Sequence, residues 1–232
     1  MIRTHGKEGN MGSKERFEEL IDKVVDRKSQ VSNLVSYLRD NTTYFYGPGS
    51  HIYHNNWEEG LLEHHCNVAE NMIKIKNLLA PDISDESCVI VGLFHDLGKV
   101  GMPGQPYYIF NTPTPKQKQW GYVPDRPYYH GNVQPYMPVP HCSLWLLSKF
   151  VDLTPEEFQA IMIHDGQYVP DNKSYSGKEC RLALIAHYAD SWAGFIMEDT
   201  MKKNDDGKGY TRVKAVKESS PDRYRHLGIW KE

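Results

Sequence analysis

"GLFHDLGKVG", residues 92–101, decides how this chain is read. Its apolar residues carry Val89, Ile90 and Val91 on through Leu93, Phe94 and Leu97, a run that belongs in a core helix. Yet His95 and Asp96 stand side by side in the middle of it. A carboxylate buried without a partner costs several kcal/mol, so Asp96 has to be paired, neutralised or bound to a metal ion.

Neighbours on a helix point about 100° apart, so the doublet makes no site by itself. It can grip an ion only where other helices deliver imidazoles or carboxylates from apolar settings. Four residues do so. His64 lies between Leu61-Leu62 and Val68-Ala69, and His141 opens "HCSLWLLSKF". His164 ends Ile161-Met162-Ile163, and Asp190 sits in "LALIAHYADSWAGF". One histidine on an apolar face is usually a hydrogen-bonded core residue. Four histidines and two aspartates, each on a different helix except for the doublet, form a constellation. Nitrogen and oxygen donors without thiolates suit Mn, Fe, Co, Ni or catalytic Zn, with Mg also allowed.

Outward from the doublet, helical periodicity dominates and predicts an all-α bundle of five or more helices. Phe17, Leu20, Ile21, Val24, Val25, Val31, Leu34, Val35 and Leu38 keep to one face between Lys14 and Arg39, in one or two helices. "EEGLLEHHCNVAENMIKIKNLLA" reads as a long helix ending before Pro81. Ser84 is the expected N-cap of the helix that carries the doublet to Gly98 or Gly101. Residues 138–151 are helical in pattern, and Thr154-Pro155-Glu156-Glu157 announces the next helix, which stops at Gly166. A last helix covers "KECRLALIAHYADSWAGFIMEDTM".

Between Met102 and Pro140 the texture changes, with nine of the chain's fourteen prolines and many aromatics. Residues 102–140 therefore read as a lid-like insertion in which "YYIF" and "QWGYV" pair as a short hairpin. The expected organisation is a leader over 1–13, one domain over 14–201, and a charged tail over 202–232 without regular structure.

Net charge is −3 and the isoelectric point about 6.4, so no global basic field points to long nucleic acids or membrane surfaces. No apolar run approaches the roughly 20 residues of a membrane span. The polar start "MIRTHGKEGNMGSKERF" is no signal peptide, and Met11 is an alternative start. Cys66, Cys88, Cys142 and Cys180 show no paired spacing and read as reduced thiols of a cytoplasmic protein.

The order His64, His95-Asp96, Asp190 resembles the HD-domain superfamily of metal-dependent phosphohydrolases. "EEGLLEHHCNVAENM" is similar to that family's G-G-L-L-E-H-S-x-x-V-A segment, and "GLFHDLGKVG" to its L-L-H-D-L-G-K. "MPVPHCSLWLL", "AIMIHDG" and "ALIAHYAD" resemble its later segments, so the likeness covers roughly residues 50–200. In texture the chain resembles small stand-alone HD proteins of phages and bacteria that act on nucleotides. The resemblance implies an HD-domain helical bundle in which His64, His95, Asp96 and Asp190 hold a first divalent ion. His141 and His164 then join a second ion, with Asp96 as the bridge. The family's Ser is His65 here, and the spacing of four to Val68 selects His64 over it as the ligand. His187 takes an orienting role.

By the same resemblance Asp96 and Lys99 are the catalytic pair, Lys99 reaching a phosphate oxygen. His51, His54 and Arg126 are the further candidates for substrate contact, with Lys116 as a loop cation. The implied reaction is metal-dependent hydrolysis of a nucleotide phosphate bond, of the deoxynucleoside triphosphate triphosphohydrolase or 5′-nucleotidase type. The loop aromatics are expected to stack the base. The alternatives are a phosphodiesterase acting on oligonucleotides or cyclic nucleotides, a di-iron oxygenase of HD fold, and a nucleotide-binding regulatory module. The expected partner is a small nucleotide, with no membrane, no long nucleic acid and a homo-oligomer allowed.

Overall fold

The first apolar run divides into two helices, α1 (Ser13–Ile21) and α2 (Lys28–Asn41). The computed structural model describes residues 12–51, 53–122 and 127–198, and the backbone of 202–203 and 210–211. Phe17, Leu20, Val31, Leu34 and Leu38 are buried as the periodicity requires, whereas Val25, in the turn between the helices, is exposed. After the Gly47-Pro48-Gly49 break comes α3 (Gly60–Leu79), which packs along α4 (Asp85–Phe94). Ser84 caps α4 by accepting from the Ser87 amide. The two helices cross where a Cβ on Gly92 would strike the backbone and side chain of Ala69, so glycine is what lets the axes approach.

The doublet's helix is shorter than expected. It stops at Phe94, and a separate 3₁₀ turn, Leu97–Val100, follows and ends at Gly101 with φ +82°. His95 and Asp96 therefore sit at the junction of two helical pieces. Ser143 fixes that junction: its Oγ accepts from the Gly98 amide at 2.7 Å while its hydroxyl donates to the Val139 carbonyl at 2.9 Å.

The insertion holds a hairpin, with one strand differing from expectation. β1 (Tyr108–Phe110) is the predicted "YYIF" strand, but α5 (Pro115–Gln119) occupies the start of the other. Thr114 and Gln117 form a capping box around Pro115, which outweighs the aromatic content of "QWGYV". The partner is instead β2 (Tyr128–His130), antiparallel with Tyr108 opposite His130.

The chain continues through α6 (Val139–Leu147) and α7 (Pro155–Met162), the latter with the expected Thr154–Glu157 capping box. Two 3₁₀ turns over 166–175 lead to α8 (Arg181–Trp192), which gives way to a π-helical turn, Ala193–Met197. α8 packs on both α3 and α7. The described residues are mostly helical, as expected, and none of their helices is long and apolar enough to cross a membrane. In the run expected to lack regular structure, β3 (Lys202–Lys203) pairs with β4 (Tyr210–Thr211). Residues 1–11 of the leader and the tail beyond Thr211 lie outside the described residues.

One guanidinium ties three helices together. Arg27, just before α2, contacts Glu86 of α4 at 2.7 Å and the fully buried Glu157 of α7 at 2.6 Å. Burial would raise both carboxyls, but Arg27 and backbone amides hold each below the ordinary range. A carboxyl depressed in the folded state stabilises above its unfolded pKa, near 4.3, and that stability is lost as pH falls through the folded value. Arg27→Met, which strands Glu157, is expected to cost about 3 kcal/mol at pH 7. The deficit should shrink between about pH 5 and pH 3 as Glu157 protonates; an equal deficit at both ends in urea titrations would count against this account.

Candidate metal centre

α3, α4, α7 and α8 each bring one end of an imidazole or carboxylate to a common point. His64 Nε2 lies 3.1 Å from Asp190 Oδ1 and 4.0 Å from Asp96 Oδ2. His95 Nε2 is 3.7 Å from each of those oxygens, and His164 Nε2 is 3.4 Å from Asp96 Oδ1. Five of the six expected ligands are thus brought together. All but Asp190, which is 22% exposed at its side chain, are buried.

The far nitrogens are tied off. His95 Nδ1 donates to the Gly92 carbonyl at 3.0 Å and His164 Nδ1 to the Ile161 carbonyl at 2.8 Å. His64 Nδ1 donates to both Glu198 oxygens at 3.0 and 3.1 Å, and Asn67 steadies that carboxylate. Each ring is therefore locked with Nε2 facing the centre, the pattern that orients metal-binding histidines.

Glu198 was not foreseen. It is an acid after an apolar turn, and sequence offers no sign that it folds back on His64. His65 was set aside for His64, yet it reaches the centre too. Tyr44 donates its hydroxyl to the Leu93 carbonyl at 2.6 Å, so it can accept from His65 Nδ1 at 3.1 Å. That leaves His65 Nε2, like His95 Nε2, a buried nitrogen with no hydrogen-bond partner. Three groups at the centre could hold an ion: His64–His95–Asp190, His65–His95–Asp96 and His164–Asp165–Asp190. Orphaned lone pairs on buried imidazoles facing carboxylates are the donor set a divalent transition ion fits.

Charge sharpens the fit. Burial drives His95 down to about 4 and His65 well below the usual range, so both are neutral lone-pair donors at pH 7. Burial also opposes charge on His64 and His164, but Glu198 and Asp190 lift the first to about 10, and Asp96 the second to about 9. Burial would raise Asp96 as well; Lys99, His95 and His164 overcome it and hold the carboxyl far below its ordinary value. Lys99 Nζ stands 2.5 Å from Asp96 Oδ2. Protons on His64 and His164 supply two positive charges among three carboxylates, which is what one divalent ion would bring.

His141, expected as a ligand, is corrected. It is exposed on the first turn of α6, whose inward side carries Cys142 and Ser143 against the Leu97–Val100 turn. His54 does approach, its ring 4.9 Å from that of His64, within a group formed with His64 and Glu198. His51 instead packs on the hairpin, 4.4 Å from the His130 ring. His187, expected to orient a ligand, donates its Nδ1 to the His164 backbone carbonyl at 2.9 Å. Lys116 stacks over Trp120 on the exposed α5, and Arg126 lies outside the described residues.

Two outcomes test the centre. Uptake of Mn²⁺ or Co²⁺ at pH 7 should release about two protons, those of His64 and His164, measured by dye in weak buffer. Both groups are protonated below their raised pKa, so affinity should rise with pH from 6 to 8, and pH-independent affinity would contradict the arrangement. Glu198→Gln should weaken metal binding by about 10–100-fold with the helical content unchanged.

Comparison with family models, with curated proteins and with solved structures finds no match to this chain.

Proposed function

We propose that this chain is a cytoplasmic, metal-dependent phosphohydrolase of the HD type, hydrolysing a phosphate bond of a nucleotide. One observation carries the reading. Buried Nε2 atoms of His64, His95 and His164 converge on Asp96 and Asp190 with their Nδ1 atoms already committed. The same residues make up the HD-like order in the sequence. His64, His95, Asp96 and Asp190 would hold one ion, and His164 would hold a second across Asp96. Such ions acidify a water from pKa 15.7 to about 7 and so supply the nucleophile.

The chain's own groups divide the remaining work. Asp165, half-exposed and 3.8 Å from His164, stands at the rim where a proton can be taken up. Lys99 is the cation closest to the carboxylates among the described residues, placed to bear on phosphate oxygens. The apolar sides of α3, α4 and α8 hold the ligands fixed and the surroundings dry. The oxygenase alternative relied on a six-ligand pattern with His141, and His141 faces solvent.

The test is release of phosphate, pyrophosphate or triphosphate from a nucleotide panel by protein stripped and reloaded with Mn²⁺, Co²⁺, Mg²⁺, Zn²⁺ or Fe²⁺. Metal-dependent release is expected, with His95→Ala and Asp96→Asn each reducing it by more than roughly 100-fold, beyond the effect of an outer partner. Release that ignores metal, or survives both substitutions, sinks the reading.

A further inference from the structure

Two cavities lie side by side on α8 and lead away from the candidate metal centre. The inner one, about 590 Å³, touches Asp190, Asp165 and His54. The outer one, about 440 Å³, runs between α8 and the turns over 166–175 as far as Glu179. Tyr168, His187 and Tyr188 line both, so the two make one cleft. Each half alone has the size of a small-ligand pocket, about 300–1,000 Å³.

The walls are aromatic and open to solvent. Tyr168 is 89% exposed, Tyr188 63% and Phe195 77%. The Tyr168, His187 and Tyr188 rings follow one another at 6.1 and 5.4 Å, and the bond from His187 to the His164 carbonyl holds the middle one. Exposed rings around one cleft offer faces to a flat heterocycle. The insertion keeps Tyr108 and Tyr128 buried in its hairpin, and its exposed rings Trp120, Tyr122, Tyr129 and Tyr136 line neither of these two cavities.

The charge on this cleft is one-sided. Besides the candidate ligand Asp190, Asp165 and Glu179 line it, and no Lys or Arg does among the described residues. Like charges repel in such a setting, so a polyphosphate chain is disfavoured there while a neutral nucleoside is not.

We infer that the cleft holds the nucleoside half of the substrate, its base against Tyr168 and Tyr188, and that the substrate is a nucleoside monophosphate rather than a triphosphate. The bond broken rests on the phosphohydrolase reading; the binding does not. In that reaction the oxygen of water forms a new P–O bond and the ester P–O bond to the nucleoside breaks. A proton from water ends on the departing nucleoside oxygen, giving nucleoside and inorganic phosphate.

Calorimetry on Mn²⁺-loaded protein would measure binding of the four deoxynucleosides, their 5′-monophosphates and their 5′-triphosphates, with hydrolysis followed in parallel. Nucleosides should bind without a phosphate, and monophosphates should bind more tightly than triphosphates. Tyr168→Ala and Tyr188→Ala should each weaken nucleoside binding by about 10-fold, leaving Mn²⁺ affinity unchanged. Tyr168→Phe should restore wild-type binding. Preference for triphosphates, absence of nucleoside binding, or affinities indifferent to both alanine variants would overturn the inference. Nucleoside binding that depends on the tyrosines, with no nucleotide hydrolysed, would keep the cleft and remove the phosphohydrolase. Triphosphate hydrolysis indifferent to both tyrosines would do the reverse.

Discussion

The Asp96 carboxylate is buried among apolar helices, and the surrounding structure is arranged to keep it ionised. At an effective dielectric near 20, a unit charge about 4 Å away contributes roughly 4 kcal/mol, so several such partners can outweigh desolvation. Lys99 and the protonated His164 stand within 3.4 Å of its oxygens, with neutral His95 3.7 Å away. Those distances hold only because the helices carrying them are close. The Gly92–Ala69 crossing brings α4 onto α3, and a Cβ on Gly98 would strike the Val139 carbonyl, so glycine also lets α6 press against the Leu97–Val100 turn. The polar centre and the tight packing are one design problem solved together.

Much of the helical scaffold was legible because it depends on local chemistry. The caps at Ser84 and Thr154 and the apolar stripe through Phe17, Leu34 and Leu38 each leave a short-range trace in sequence. The hairpin's second strand was missed where two local signals competed, and capping at Thr114 prevailed over aromatic strand propensity. The end of α4 at Phe94 left a weaker trace, since the apolar run continues past it to Leu97.

The site was legible in a different way. His64, His95, Asp96, His164 and Asp190 stood out as polar residues in apolar company, which is a burial argument and independent of topology. His141 satisfied the same test and failed. The first turn of a helix has an outer side, and neighbouring apolar residues do not say which side a single histidine takes. Glu198 failed the test from the other direction. It meets His64 across 134 positions of sequence, a contact set by how the π-helical turn leaves α8.

The two adjacent imidazoles of α3 raise a last question of valence. His95 has one free lone pair, since its Nδ1 is bound to the Gly92 carbonyl, so it can serve a single ion. The groups His64–His95–Asp190 and His65–His95–Asp96 therefore compete and cannot both be filled. A carboxylate is not limited in this way. Asp96 turns Oδ1 toward His164 and Oδ2 toward His64, His95 and Lys99. A centre of two ions built from these residues has to divide at Asp96, with His164 on one side and His95 on the other. Lys99 occupies the His95 side, 2.5 Å from Oδ2, so an ion held there would compete with its ammonium for that oxygen.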